Sequence, residues 1–159
     1  RPRAILIGLK PEYYSQFNWP AKKSELPLSV GEIIYEEMAS LGWSNVEEWK
    51  KKANRIAPTL VGGSKKHGGA DLGPSRARKA WAELAVDGSS LANRPPMNGF
   101  EGNPKLTLEM TALIQGFPKT WKFVGKKTPA YRQVGNAFPP PVAKEIGKSI
   151  IQALSHDKK

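Results

Sequence analysis

Cysteine is absent from all 159 residues, which removes disulfides, thiolate metal sites and thiol nucleophiles together. Any covalent sulfur chemistry associated with this chain must therefore come from elsewhere. Histidine is nearly absent too: His67 and His156 alone are too few for a histidine-rich cage, so no metal is expected. No run of about 18 apolar residues occurs, so no spanning helix and no membrane partner are expected. The first residues lack the basic, apolar and small-residue succession of a secretory signal, and the expected location is the cytoplasm.

What the chain does have is a packable apolar fraction of 39% and an excess of base, 25 Lys+Arg against 14 Asp+Glu, for a net charge of +11. The excess is local. Lys65, Lys66, Arg76, Arg78 and Lys79 face only Asp71 between positions 61 and 79, and five basic residues stand between Lys119 and Arg132 with no acid. Such fields suit a polyphosphate, because each neutralised phosphate releases a condensed counterion. The same charge is also that of a merely solubilising surface.

Along the chain, the apolar run Ala4 to Leu9 reads as a buried strand, followed by a polar, proline-containing connector to Pro27. Ser29 with Glu32 forms a capping-box pattern opening a helix with Val30, Ile33, Ile34, Met38 and Leu41 at helical spacing and Gly42 as its stop. Ser44 with Glu47 repeats the pattern for a helix whose Val46, Trp49, Ala53 and Ile56 share a face, ended by Pro58. From Thr59 to Pro74 five glycines alternate with Ser64, Lys65, Lys66 and His67, which no regular element accommodates. A helix from about Ser75 to Ala85 is predicted to bury Ala77, Ala80, Trp81 and Leu84 and to present Arg76 and Lys79 opposite.

Residues 87 to 105, rich in Gly, Pro, Asn and Ser, read as a long surface loop. Thr107 caps a helix with Met110, Leu113 and Ile114, closed by Gly116 and Pro118. Trp121 to Val124 reads as a short strand and Lys126 to Thr128 as a turn. A last helix starts near prolines 139 to 141 with a Val142, Ile146, Ile150, Leu154 stripe. Trp43, Trp49, Trp81 and Trp121 are read as core by their apolar spacing rather than as base-stacking platforms.

Three segments, in order, carry a family resemblance: Arg1-Pro2-Arg3 with Ile5-Leu6-Ile7-Gly8; Lys105-Leu106-Thr107 through Gln115-Gly116-Phe117-Pro118; and Tyr131-Arg132-Gln133-Val134-Gly135-Asn136-Ala137-Phe138-Pro139. Together they resemble the strand motif, ninth block and tenth block of the DNA (cytosine-5) methyltransferases. The resemblance implies that Arg3 points at a flipped target cytosine with Arg1 in support, whereas on spacing alone the pair is one solvated face of a strand end. It implies that Asn136 helps hold the carboxylate of S-adenosylmethionine, where asparagine can equally cap a turn. Ala137 stands where the family often has serine, leaving one hydrogen bond in doubt. Thr59-Leu60 resembles the Thr-Leu signature of the family's target-recognition region. After it, Gly62 and Gly63 permit close backbone approach, and Ser64, Lys65, Lys66 and His67 supply donors for DNA. The spacing of a P-loop is absent. Arg76, Lys79, Lys126 and Lys127 complete the expected DNA contacts, while Gln115 to Pro118 is assigned a structural role.

The expected architecture is an α/β fragment: one strand of a Rossmann-like catalytic sheet in residues 1–19, a small mixed α+β target-recognition domain in 20–128, and in 129–159 a C-terminal helix returning to the catalytic domain. The family's glycine-rich cofactor motif, Pro-Cys nucleophile and Glu-Asn-Val motif do not occur here. The chain is thus expected to be inactive alone, as a piece cut from a longer enzyme or one polypeptide of a split one. Its expected partners are double-stranded DNA and the missing catalytic part, which binds most of the S-adenosylmethionine. The alternative is a non-enzymatic basic nucleic-acid-binding module, for which charge and the Gly/Lys loop suffice; the three ordered motifs speak against it.

Overall fold

Ser29 begins the first substantial helical run through two reciprocal bonds. Its hydroxyl accepts from the Glu32 amide at 3.2 Å, and the Glu32 carboxylate accepts from the Ser29 amide at 2.7 Å, the capping box expected from the sequence. The computed structural model describes residues 4–22, 24, 26–61 and 69–155. Its helices are α1 (Pro11–Tyr14), α2 (Val30–Ile33), α3 (Tyr35–Ala39), α4 (Val46–Lys52), α5 (Ser75–Ala82), α6 (Leu108–Gln115), α7 (Lys127–Asn136) and α8 (Pro140–Ser155).

Among the described residues there is no strand, which corrects the α/β expectation. Ala4 to Leu9 finds no neighbouring segment with which to exchange backbone bonds, and an apolar run alone does not make a strand. Trp121 to Val124 is likewise unpaired: the Val124 carbonyl accepts from the Gln133 side chain at 2.8 Å rather than from a backbone neighbour. The mixed α+β expectation for the recognition domain fails for a related reason. Segments 70–72, 86–92 and 104–106 are joined by isolated bonds, Leu72 to Gly88, Leu91 to Ala70, Asp87 to Pro104 and Ala92 to Leu106. The Gly, Pro and Asn residues between them prevent a regular ladder. No helix among the described residues is long and apolar enough to cross a membrane.

The chain divides into two units, residues 26–137 and the two flanking stretches taken together. In the first, Val30, Ile34, Met38, Trp49, Leu72, Trp81, Leu84, Leu106 and Met110 form the core, each large side chain contributing about 1.5–3 kcal/mol by leaving water. The expected single helix from Ser29 is broken at Ile34 (φ −117°, ψ 16°) into α2 and α3. Leu41 falls beyond the break and is exposed. The second box does not form: Asn45, not Ser44, precedes α4 and makes no side-chain cap, and Ile56 is exposed. The α2 amides of Val30 and Gly31 donate to the carbonyls of Arg55 and Ala53 at 3.0 Å. Gly31 is required there, since a Cβ would lie 2.7 Å from the Lys50 carbonyl oxygen.

α6 is capped by Thr107 and ends at Gly116 in the left-handed region (φ 92°). Phe117 then packs edge-on against Phe123 at 5.0 Å. The expected turn at 126–128 is instead the start of α7. Pro129 fits because the first-turn amides have no intrahelical acceptor anyway.

In the flanking unit, α1 packs against α8. The covered α8 residues are Ser149 and Ala153, while Val142 and Leu154 of the expected stripe are exposed.

Candidate nucleic-acid interface

α5 follows Pro74 and turns its apolar side inward: Trp81 and, just after the helix, Leu84 are fully buried. Ala77 and Ala80 are half-buried, and Arg76, Arg78 and Lys79 are exposed. None of these three cations forms an ion pair with a described residue, whereas several on the rest of the unit do. Lys52 is 2.7 Å from Glu48, Arg55 is 3.2 Å from Glu83, and Lys119 lies between Glu36 at 2.7 Å and Glu37 at 2.8 Å. The Lys119 ammonium holds the Glu36 carboxyl below its ordinary value and is itself pushed up by the two carboxylates. Charge at Lys119 is internally cancelled, whereas charge on α5 is left for an outside partner.

Thr59 is exposed and Leu60 is buried, so Leu60 anchors the segment while the threonine faces outward. Gly62, Gly63, Ser64, Lys65, Lys66 and His67 lie outside the described residues, as do Arg1 and Arg3. On the far side of that segment Gly73 (φ 107°) lets Val61 approach, a Cβ there being 3.2 Å from the Val61 side chain.

Residues 87 to 105 are more ordered than their composition suggests. Trp43 donates from its indole to the Phe100 carbonyl at 2.9 Å, and the half-buried Lys127 ammonium donates to the Leu91 carbonyl at 3.0 Å. Lys127 thus spends one of its three donors on scaffold; Lys126 beside it is exposed. Asp87 at the root accepts from the Ser89 amide at 2.9 Å and lies 3.7 Å from Lys105. Burial opposes ionisation of Asp87, but the Ser89 bonds and Lys105 outweigh it and hold its carboxyl below the ordinary value.

Two adjoining clefts flank this root and share Asp87 and Asn103. One is bordered by Ser75, Arg78, Lys79 and Ser89, the other by Arg94, Met97, Asn98 and Glu101. Sequence reasoning assigns Arg76 and Lys79 from helical spacing but passes over Arg78, and it passes over Arg94 because an irregular segment offers no periodicity to orient it. Trp43, Trp49 and Trp81 are core as expected, with the Trp49 indole donating to the Ala85 carbonyl at 3.1 Å; Trp121 is exposed.

Asn136 ends α7 with its side chain exposed. The Gln115 amide, at the other motif block, donates to the adjacent Ala137 carbonyl at 2.8 Å. Among the described residues, no three acidic or histidine side chains converge to hold a metal.

The family described as C-5 cytosine-specific DNA methylase matches residues 1–152. The chain belongs to this methylase family. The type II methyltransferase M.NaeI of Lentzea aerocolonigenes is 54% identical over 158 residues, covering 98% of this chain and 38% of the relative. M.NgoMIV of Neisseria gonorrhoeae is 44% identical over 160 residues, covering 99% of this chain and 50% of the relative. M.PspPI of a Psychrobacter strain is 30% identical over 182 residues, covering 98% and 42%. The methylase chain therefore spans half or less of the length of these relatives. No solved structure matches it.

Proposed function

We propose that this chain is the DNA-reading part of a DNA (cytosine-5) methyltransferase of a type II restriction-modification system, with residues 20–128 as the target-recognition domain. Family membership and the type II names of its relatives support the setting. The observation that carries the reading is α5, which sets Arg76, Arg78 and Lys79 exposed within four consecutive positions and without an ion pair to any described residue. A duplex presents the phosphates such a helix lacks.

In the complete enzyme the target base leaves the stack to be reached, a cysteine thiolate from outside this chain adds to it, and S-adenosylmethionine supplies the methyl group. This chain, having no cysteine, does not turn over alone. The part its own residues play toward the cofactor is small. Asn136 is exposed and its amide has no partner among the described residues, which fits a contact to the cofactor carboxylate and no more. Arg3, by family position, steadies the flipped cytosine through a guanidinium that is charged at any working pH.

The test is the salt dependence of duplex binding by the intact methyltransferase. Arg76→Ala with Lys79→Ala is expected to weaken binding to all sequences and to lower the slope of log affinity against log salt by about 2, roughly 0.9 for each lost phosphate contact. Lys65→Ala with Lys66→Ala is expected to act the same way. An unchanged slope in both double variants removes this surface from the DNA contact.

A further inference from the structure

Arg94 and Glu101 border the same cleft, are both exposed, and form no ion pair with each other or with any described residue. The remaining charges of the segment are spent, Asp87 being held against Lys105 and the Ser89 amide. From this we infer that the 87–105 segment reads a G·C base pair in the major groove. Arg94 is the guanine reader and Glu101 is the acceptor for the cytosine amino group. This inference rests on the DNA-reading function proposed above and adds the residues and the base pair.

The chemistry is complementary. A guanidinium fork matches O6 and N7 of guanine with two parallel bonds, and a carboxylate accepts from N4 of cytosine. A carboxylate beside a polyanion is repelled unless a base donor meets it, so Glu101 penalises the wrong pair more than it rewards the right one.

The segment is also stiff enough to discriminate. It is tied down through Trp43 to Phe100 and Lys127 to Leu91, and by backbone bonds from Leu91 to Ala70 and from Asp87 to Pro104. Within it Pro95 and Pro96 fix two φ angles, and Pro96 is buried. A reader held in place loses little entropy on binding, which is what base selection needs. Its cleft adjoins the one bordered by Arg78 and Lys79 through the shared Asp87 and Asn103. A phosphate seated on α5 would therefore set the register of the base edges at Arg94.

The experiment uses the intact methyltransferase and a set of duplexes: its methylated site and every single base-pair replacement of it. The readout is relative kcat/KM, or relative Kd for any variant that binds without methyl transfer. Arg94→Ala and Arg94→Lys are both expected to lower the value on the parent site roughly 10- to 100-fold and to relax selection at one G·C pair only. Arg94→Lys keeps the charge and loses the fork, so it separates base reading from simple attraction. Glu101→Gln is expected to relax selection at that same pair. Uniform weakening on every duplex, or unchanged selection in both Arg94 variants, overturns the inference while leaving DNA reading by the chain intact. If instead the salt slope is untouched by the α5 variants, the broader reading fails first.

Discussion

Gln115 donates its side-chain amide to the Ala137 carbonyl at 2.8 Å, so the last residue of α6 holds the residue that follows α7. α6 and α7 are thereby tied together, and Asn136 is presented from the end of α7. Gln115→Ala should cost about 1 kcal/mol of unfolding free energy, read as a lower urea midpoint with an unchanged slope. An unchanged midpoint would show that the bond adds nothing.

Gly31 packs where α2 meets α4. A Cβ would sit 2.7 Å from the Lys50 carbonyl oxygen and 3.2 Å from its Cα, and backbone atoms cannot swing aside. Gly31→Ala should destabilise the chain by about 1–3 kcal/mol even though alanine is the better helix former. Thermal unfolding checks this, and a variant as stable as the parent would disprove the close approach.

The Ser29 backbone and side-chain hydrogen bonds hold the Glu32 carboxyl below its ordinary value of 4.5, and Lys50 adds to this. A depressed carboxylate contributes stability that is present above its unfolded value and lost as pH falls through its folded one. Stability should therefore decline as pH falls below the ordinary value of 4.5, and Ser29→Ala should make that decline shallower as well as costing about 1 kcal/mol near neutrality. Urea midpoints across that range give the answer; parallel curves for parent and variant would exclude Glu32 as a contributor.

Lys127 ties α7 to the 87–105 segment through the Leu91 carbonyl. Replacing it by methionine keeps most of the apolar stem and removes the donor. Lys127→Met should speed amide hydrogen exchange in residues 88–100 and cost about 1–2 kcal/mol. Exchange as slow as in the parent would show that the segment is held by its other bonds alone.

What the sequence made legible was local. The Ser29 box, the Thr107 cap and the Gly116 stop each depend on residues within four positions of one another, and all three appear in the structure. Ser44 has the same pattern, but Trp43 is buried and its carbonyl accepts the Val46 amide, which moves the helix start to Asn45. The strands at Ala4 to Leu9 and Trp121 to Val124 were misread because apolar character does not tell whether a partner segment exists. The turn expected at 126–128 hides α7, which holds Pro129 in its first turn and buries Gly135.

The same division runs through the site. Arg76 and Lys79 are one helical turn apart, so their common face follows from spacing. Arg94 and Glu101 stand in an irregular segment held by bonds between distant residues, such as Trp43 with Phe100, 57 positions away, which periodicity cannot report.

The most direct test is photocross-linking of the intact methyltransferase to its own duplex site substituted with iodinated pyrimidines, followed by mapping of the modified peptides. The account predicts adducts within residues 59–105, on the segments around α5 and Arg94. Adducts confined to residues outside 26–137 would contradict it.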